Sequence, residues 1–386
     1  MPDIAPFRGL TYSPPLRTVL DLLVAPPYDV LTEEQRARLL ARHDHNVVHV
    51  DRPGPASGDE PYAGAARLLE RWKREGVLTR DAQPALYVCE QRYRRPQGGE
   101  AVRRGFFARL TLEPLGSGSV LPHERTLDEP RADRTRLLAA TRTHLSAIFL
   151  LHPDAGGEVA SLVRSAMGGE TYLQARDDDG TLSRVARVED PERVEFIRSR
   201  LRGQWALIAD GHHRYESALA YRDERRAAGL RDAEHALAFF CSLEDEGLAI
   251  FPIHRLVHSL PDFEEAAFRA RLAKLFRLTR ARTIDELRVG LAARSARPGV
   301  FGLVLPGDAC WLAEWIEGEG FEGPELEQVP EPLRRLDVVL LHRLLLEGIL
   351  GITPEAQASQ ANLEYVKDPG QVYERKIGRA SCRERV

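Results

Sequence analysis

Residues Trp205 to Ala209 form a short apolar run, and residues Tyr215 to Ala228 have the composition of a helix; between them the chain reads Asp210-Gly211-His212-His213-Arg214. This is the pattern of a strand–turn–helix element with a polar turn. A glycine between strand and helix lets backbone approach a ligand closely, and a helix N-terminus offers N–H groups that suit an anion. Arg214 adds a planar cation able to clamp a phosphate or carboxylate at two points. His212 and His213 can donate, accept protons or bind a metal. Helix capping by Asp210 alone would account for an isolated Asp-Gly. Five consecutive polar or special residues between two apolar elements go beyond a cap, so the turn is read as a functional site.

No G-x-x-x-x-G-K-[ST] run is present, which excludes a P-loop. Phosphate bound at this turn would have to be held by arginine, histidine, helix N–H groups and Mg2+. Arginine outnumbers lysine 50 to 4, a bias that GC-rich coding explains by itself and that also fits such a site. The net charge of −4 lacks the basic excess of a nucleic-acid-binding surface. Cysteines 89, 241, 310 and 382 have no CxxC spacing and read as buried thiols of a reducing compartment. No apolar run reaches the roughly 18 residues of a membrane span, and the N-terminus lacks the order of a signal peptide. A cytoplasmic, soluble protein is expected, with a small-molecule substrate and no membrane partner. The last ten residues, Ile377 to Val386, match a translated reading frame of a common sequencing-library adapter. They are set aside as non-native, with the expectation that the natural C-terminus continues differently.

The 43% hydrophobic content over 386 residues supports a large core. After a Pro-rich start, Thr32 followed by Glu33, Glu34 and Gln35 predicts a capped helix to about Arg42. Asn46 to Val50 reads as a short strand, and residues 62–75 as an amphipathic helix burying Ala65, Leu68, Leu69 and Trp72. Residues 85–94 and 101–112 predict a hairpin around a Pro-Gln-Gly-Gly turn. Helices are expected at about 130–143, 157–167 and 190–200, and strands at 147–151, 171–176 and 182–188. Residues 236–243 and 248–257 read as paired strands, 263–275 and 284–294 as helices, 299–305 and 309–316 as a hairpin. Residues 333–350 read as an apolar helix. The sum is an α+β body of mixed, largely antiparallel sheets with flanking helices, one family-length domain over 2–376 with two lobes dividing near residue 150.

Three further groups invite chemistry. Tyr28 and Asp29 follow two prolines that fix their backbone, and Asp29 could position a hydroxyl or Mg2+, or simply cap the next helix. His123-Glu124-Arg125-Thr126, with Asp133-Arg134, offers Glu124 as a general base, His123 as a base or ligand and Arg134 as a second anion clamp; ordinary loop ion pairs would look the same. His254 and His258 sit on an expected strand and read as structural. The cluster Arg222 to Arg226 reads as a solvated helix face.

The run Ile208–Leu219 resembles the hallmark of a bacterial and archaeal family known as domain of unknown function 1015. The resemblance extends through Ala5–Leu10, Ala25–Asp29, His123–Thr126, Asp133-Arg134 and Leu336–Leu350, covering residues 2–376. Members of that family continue to a Met-Pro-Pro-Lys-Ser-Thr-like tail that this chain lacks, which puts the completeness of its site in doubt. Over about a dozen residues the turn is also similar to the nucleotide-phosphate turn of the ParB/sulfiredoxin superfamily, which includes free-serine kinases. That likeness implies that Gly211, His212, His213 and Arg214 hold nucleotide phosphates. The expectation is therefore a phosphotransferase using Mg2+ and ATP or another nucleotide, acting on a small hydroxylated metabolite such as an amino acid. Glu124, Asp29 and Asp210 are its catalytic candidates, and Tyr28, His123 and Arg134 its substrate or anion contacts. Two other classes remain open: a ParB-like nucleotide-binding regulator without turnover, and a metal-dependent hydrolase built on His123, Asp210, His212 and His213.

Overall fold

The computed structural model describes residues 2–366 apart from 55–59, 96–97, 117, 123–127, 250–253, 262, 295–296, 307–308, 317–323, 328 and 359–361. The chain divides into two compact units. The first holds residues 1–122 and 126–249, and the second residues 123–125 and 250–386. The division does not fall near 150, because residues 148–152 are a strand in the interior of the first unit's sheet, hydrogen-bonded on both sides.

In chain order the first unit contains β1 (Ile4–Ala5), β2 (Leu10–Tyr12), β3 (Leu78–Arg80), β4 (Leu86–Arg94), β5 (Glu100–Thr111) and β6 (Val120–Leu121). It continues with β7 (Ile148–His152), β8 (Leu173–Arg176), β9 (Leu182–Val188), β10 (Ala206–Asp210) and β11 (His235–Ser242). β2 and β3 form a small antiparallel ribbon. The other nine make one sheet in the order β6-β10-β7-β11-β5-β4-β9-β8, with β1 extending the β4 position along β5. Its pairings are antiparallel except β6 with β10 and β7 with β11. The architecture is α+β, as expected.

Alternation decides which sheet face is covered. Leu86 and Val88 of β4, Phe106, Ala108 and Leu110 of β5, and Ile148 and Leu150 of β7 point into one core. Three helices supply the opposing side chains at helical spacing: Val159, Val163 and Met167 from Glu158–Met167, Val194, Ile197 and Leu201 from Pro191–Leu201, and Tyr215, Ala218 and Tyr221 from His212–Ala227. Each fully buried Val, Leu, Ile, Phe or Met among them contributes about 1.5–3 kcal/mol. A second cluster joins Val50, Ala65, Leu69, Trp72 and Val77 to Leu137 of the helix Asp128–Thr141, which packs on the helix His212–Ala227.

Two sequence expectations fail because distant segments settle the outcome. Asn46–Val50 is not a strand. The fully buried Asn46 carboxamide accepts from the Val48 N–H at 3.0 Å and donates to the carbonyls of Leu22 and Val24, which starts a helical turn, Val48–Asp51. None of the described residues of 248–257 pairs with β11, whose neighbours are β5 and β7. Only His254–Val257 (β12) is a described strand there.

In the second unit β12 is followed by β13 (Phe276–Ala281), β14 (Val300–Leu305), β15 (Ala309–Trp315) and β16 (Leu363–Val366). β12 pairs with β16, and β13-β15-β14 form an antiparallel sheet containing the expected hairpin. The apolar segment is helical over Asp337–Ile349, with wider π-type turns from Leu341 onward.

Candidate functional site

β10 ends at Asp210, and its pairing with β7 slips there: Ile208 faces Leu150 and Asp210 faces Phe149, leaving Ala209 bulged. Such a bulge re-aims the residues that follow it. Gly211 is then left-handed, φ +91°, and caps a helix that begins at His212, three residues before the expected start. The polar turn is thus a single glycine, and His212, His213 and Arg214 form the first helical turn.

The glycine serves a different neighbour from the one expected. A Cβ on Gly211 would lie 2.8 Å from Arg214 Nε and 2.9 Å from its Cζ. What approaches the backbone here is the Arg214 side chain, folded back across the start of its own helix. Its Nη1 donates to the Ala147 carbonyl and its Nη2 to Asp210 Oδ2. Arg214 Nε is buried and has no hydrogen-bond partner among the described residues. A guanidinium at the positive end of a helix dipole is electrostatically awkward, and Asp210 offsets part of that. An added anion would offset more. His212 is 2% exposed, Asp210 about half exposed and His213 half-buried.

Arg214 lines a cleft of about 40 Å³ with Tyr28, Asp51, Arg134, His144, Ser146 and Ser217. Arg134, 8% exposed, is held on three sides. Its Nη1 donates to the Asp51 carbonyl at 2.9 Å and faces Asp51 Oδ1 at 3.4 Å; its Nη2 pairs with Asp133 Oδ2 at 2.6 Å; its guanidinium stacks 3.9 Å from the Tyr28 ring centroid. Tyr62 donates to the other Asp133 oxygen at 2.7 Å. Ser146 Oγ donates toward both Asp51 oxygens at 3.4 Å, and Ser217 Oγ ties the two helices by donating to the Arg131 carbonyl. Burial lowers the His144 pKa against the opposing pull of its hydrogen bond to the His235 carbonyl, so a neutral imidazole lines the wall at pH 7. At about 10–15 Å³ per water, the cleft has room for roughly three waters or one phosphate or carboxylate head group.

The fold therefore brings together three of the residues singled out from sequence, Tyr28, Arg134 and Arg214, from segments far apart in the chain. Asp210 and Gly211 adjoin them through Arg214. Asp29 lies in the 3-10 turn Tyr28–Val30, but its side chain, like His123, Glu124, Arg125 and Thr126, is outside the described residues. Asp51, His144, Ser146 and Ser217 were not anticipated. Arg222 leaves the solvated face assigned to it: it is 5% exposed and donates to the Leu112 carbonyl, while Arg225 and Arg226 form surface pairs with Asp232 and Glu234. Cys89, Cys241 and Cys310 are buried and form no disulfide, as expected of buried thiols.

The spacing Gly318-Glu319-Gly320-Phe321-Glu322-Gly323 formally matches G-x-G-x-x-G. It follows β15 in sequence and lies outside the described residues. Among the described residues no three His, Cys, Asp or Glu side chains are gathered as metal ligands, and no helix is long and apolar enough to cross a membrane.

A family model described as "Protein of unknown function (DUF1015)" matches residues 4–339, a span that includes every residue of the cleft. Comparison with curated proteins and with solved structures gave no match.

Proposed function

The chain belongs to the DUF1015 family, and we propose that it is a nucleotide-dependent phosphotransferase acting on a small hydroxylated metabolite. The observation that carries this reading is the pair of guanidiniums, Arg134 and Arg214, lining one small cleft, with Arg214 laid over a helix N-terminus. The terminal phosphoryl group of the nucleotide fits that cleft in size and charge, and the short likeness of the turn to ParB/sulfiredoxin nucleotide turns supports the same assignment. Phosphoryl transfer asks for positioning and charge stabilisation more than covalent chemistry. Arg214 and the helix amides would bind the phosphoryl oxygens, Arg134 would clamp the far side, and Tyr28 keeps Arg134 in place. Mg2+ bound with nucleotide phosphates needs only one or two protein carboxylates, and Asp210, half exposed beside Arg214, suits that role. The ion would spread the phosphate charge.

The test is thermal unfolding with ATP, ADP or CTP in the presence of Mg2+. A ligand at about 100 times its Kd stabilises the native state by about 2.7 kcal/mol. The expected result is a shift with one nucleotide that falls at least tenfold in affinity in Arg214→Ala. Equal affinity in wild type and Arg214→Ala would remove the phosphate-binding role of the turn. A nucleotide shift without transfer to any of a panel of amino and hydroxy acids would instead identify a nucleotide-binding regulator.

A further inference from the structure

We infer that Asp51 is the proton acceptor for the substrate hydroxyl, in place of Asp29, Glu124 or Asp210; this rests on the phosphotransferase reading above. Asp51 ends the short helix Val48–Asp51, is 8% exposed and lines the cleft beside Arg134. Asp210, by contrast, is half exposed and tied to Arg214. The Asp51 carboxylate already receives one hydroxyl: Ser146 Oγ donates toward both of its oxygens at 3.4 Å. That contact is longer than a strong O–H···O bond, so an alcohol drawn closer on the cleft side would compete for the same lone pairs. A carboxylate has about four acceptor positions, and Arg134 fixes the orientation of this one through its backbone and side chain together.

The step balances as follows. The substrate oxygen forms a bond to the γ-phosphorus of a nucleoside triphosphate while the bond from that phosphorus to the β–γ bridging oxygen breaks, its electron pair leaving with the nucleoside diphosphate. The hydroxyl proton passes to Asp51 and from there to water after release. The Arg134 pair keeps Asp51 from becoming an isolated buried charge between turnovers.

The experiment compares the full chain with Asp51→Asn and Asp51→Glu. Each is measured for ATP-Mg2+ affinity by thermal shift and for label transfer from γ-labelled ATP to a mixture of L-amino acids and hydroxy acids, from pH 5 to 9. The expected result is near-unchanged ATP affinity in Asp51→Asn, a 100- to 10,000-fold loss of transfer and loss of the acidic limb of the pH profile. Asp51→Glu should recover part of the rate and that limb. Transfer in Asp51→Asn within tenfold of wild type, or loss of ATP binding in both variants, would overturn the assignment while leaving the phosphotransferase reading in place. Absence of transfer by the wild-type chain would overturn that reading and this inference with it.

Discussion

Gly211 and Arg214 are coupled by a steric fact: the guanidinium occupies the space a Cβ would need, so the turn tolerates glycine for two reasons at once. One is backbone, since φ +91° disfavours any L side chain; the other is packing against Arg214. Gly180, at φ +82° in the β8–β9 turn, has the first constraint without the second, because nothing lies within 4 Å of its would-be Cβ. Gly211→Ala and Gly180→Ala should each lose about 1–2 kcal/mol in urea unfolding from backbone strain. Only Gly211→Ala should also weaken nucleotide or phosphate binding, by displacing Arg214. Equal binding in both variants would show that the position of Arg214 does not matter to the site. At this scale the sequence disclosed the residues whose chemistry is local: a glycine-histidine-arginine turn, and a tyrosine behind two prolines. Nothing near Val48–Asp51 or His144–Ser146 marks Asp51 or Ser146, because their contact exists only once segments 95 residues apart meet.

Elements were legible where their ends are written in side chains. Thr32 accepts from the Gln35 N–H at 3.2 Å while Gln35 Oε1 accepts from the Thr32 N–H at 3.0 Å, the reciprocal cap that the sequence foretold for the helix Glu33–Arg42. Thr32→Ala removes one half of it at an exposed site, so a loss of about 1 kcal/mol is expected by denaturant titration; a change below about 0.3 kcal/mol would mean that water replaces the cap without cost. Illegible elements are those settled by distant partners. Asn46 breaks a β-branched run because its carboxamide finds two carbonyls at Leu22 and Val24. β12 finds β16 more than a hundred residues later instead of β11 beside it in sequence, because β11 is already flanked by β5 and β7.

Across the whole molecule, the large sheet carries its apolar core on one face and continues, along the same face of β4, into charge. Glu90 is 4% exposed, registered between Arg104 of β5 and Arg184 of β9, with Arg92 beside it. Its carboxylate lies 2.9 Å from Arg104 Nε and 3.0 Å from Arg92 Nε. Burial alone would raise its pKa, but the hydrogen bonds and charges of Arg92 and Arg104 outweigh that and hold it below the ordinary glutamate range. A folded-state pKa depressed in this way contributes stability above the unfolded value of about 4.3, and that contribution is lost as the pH falls through the folded value. Glu90→Gln should therefore cost about 2 kcal/mol at pH 7. That is less than the 3–5 of a fully buried pair, because the guanidiniums stay a quarter or more exposed. The gap between variant and wild type should narrow as the pH falls below about 5 and go on closing through the depressed folded value, as the wild-type carboxylate takes up the proton that the glutamine cannot. Urea unfolding at half-unit pH steps measures both curves. If they run parallel through that window, the strand junction is held by packing of the arginine stems and not by the Glu90 charge.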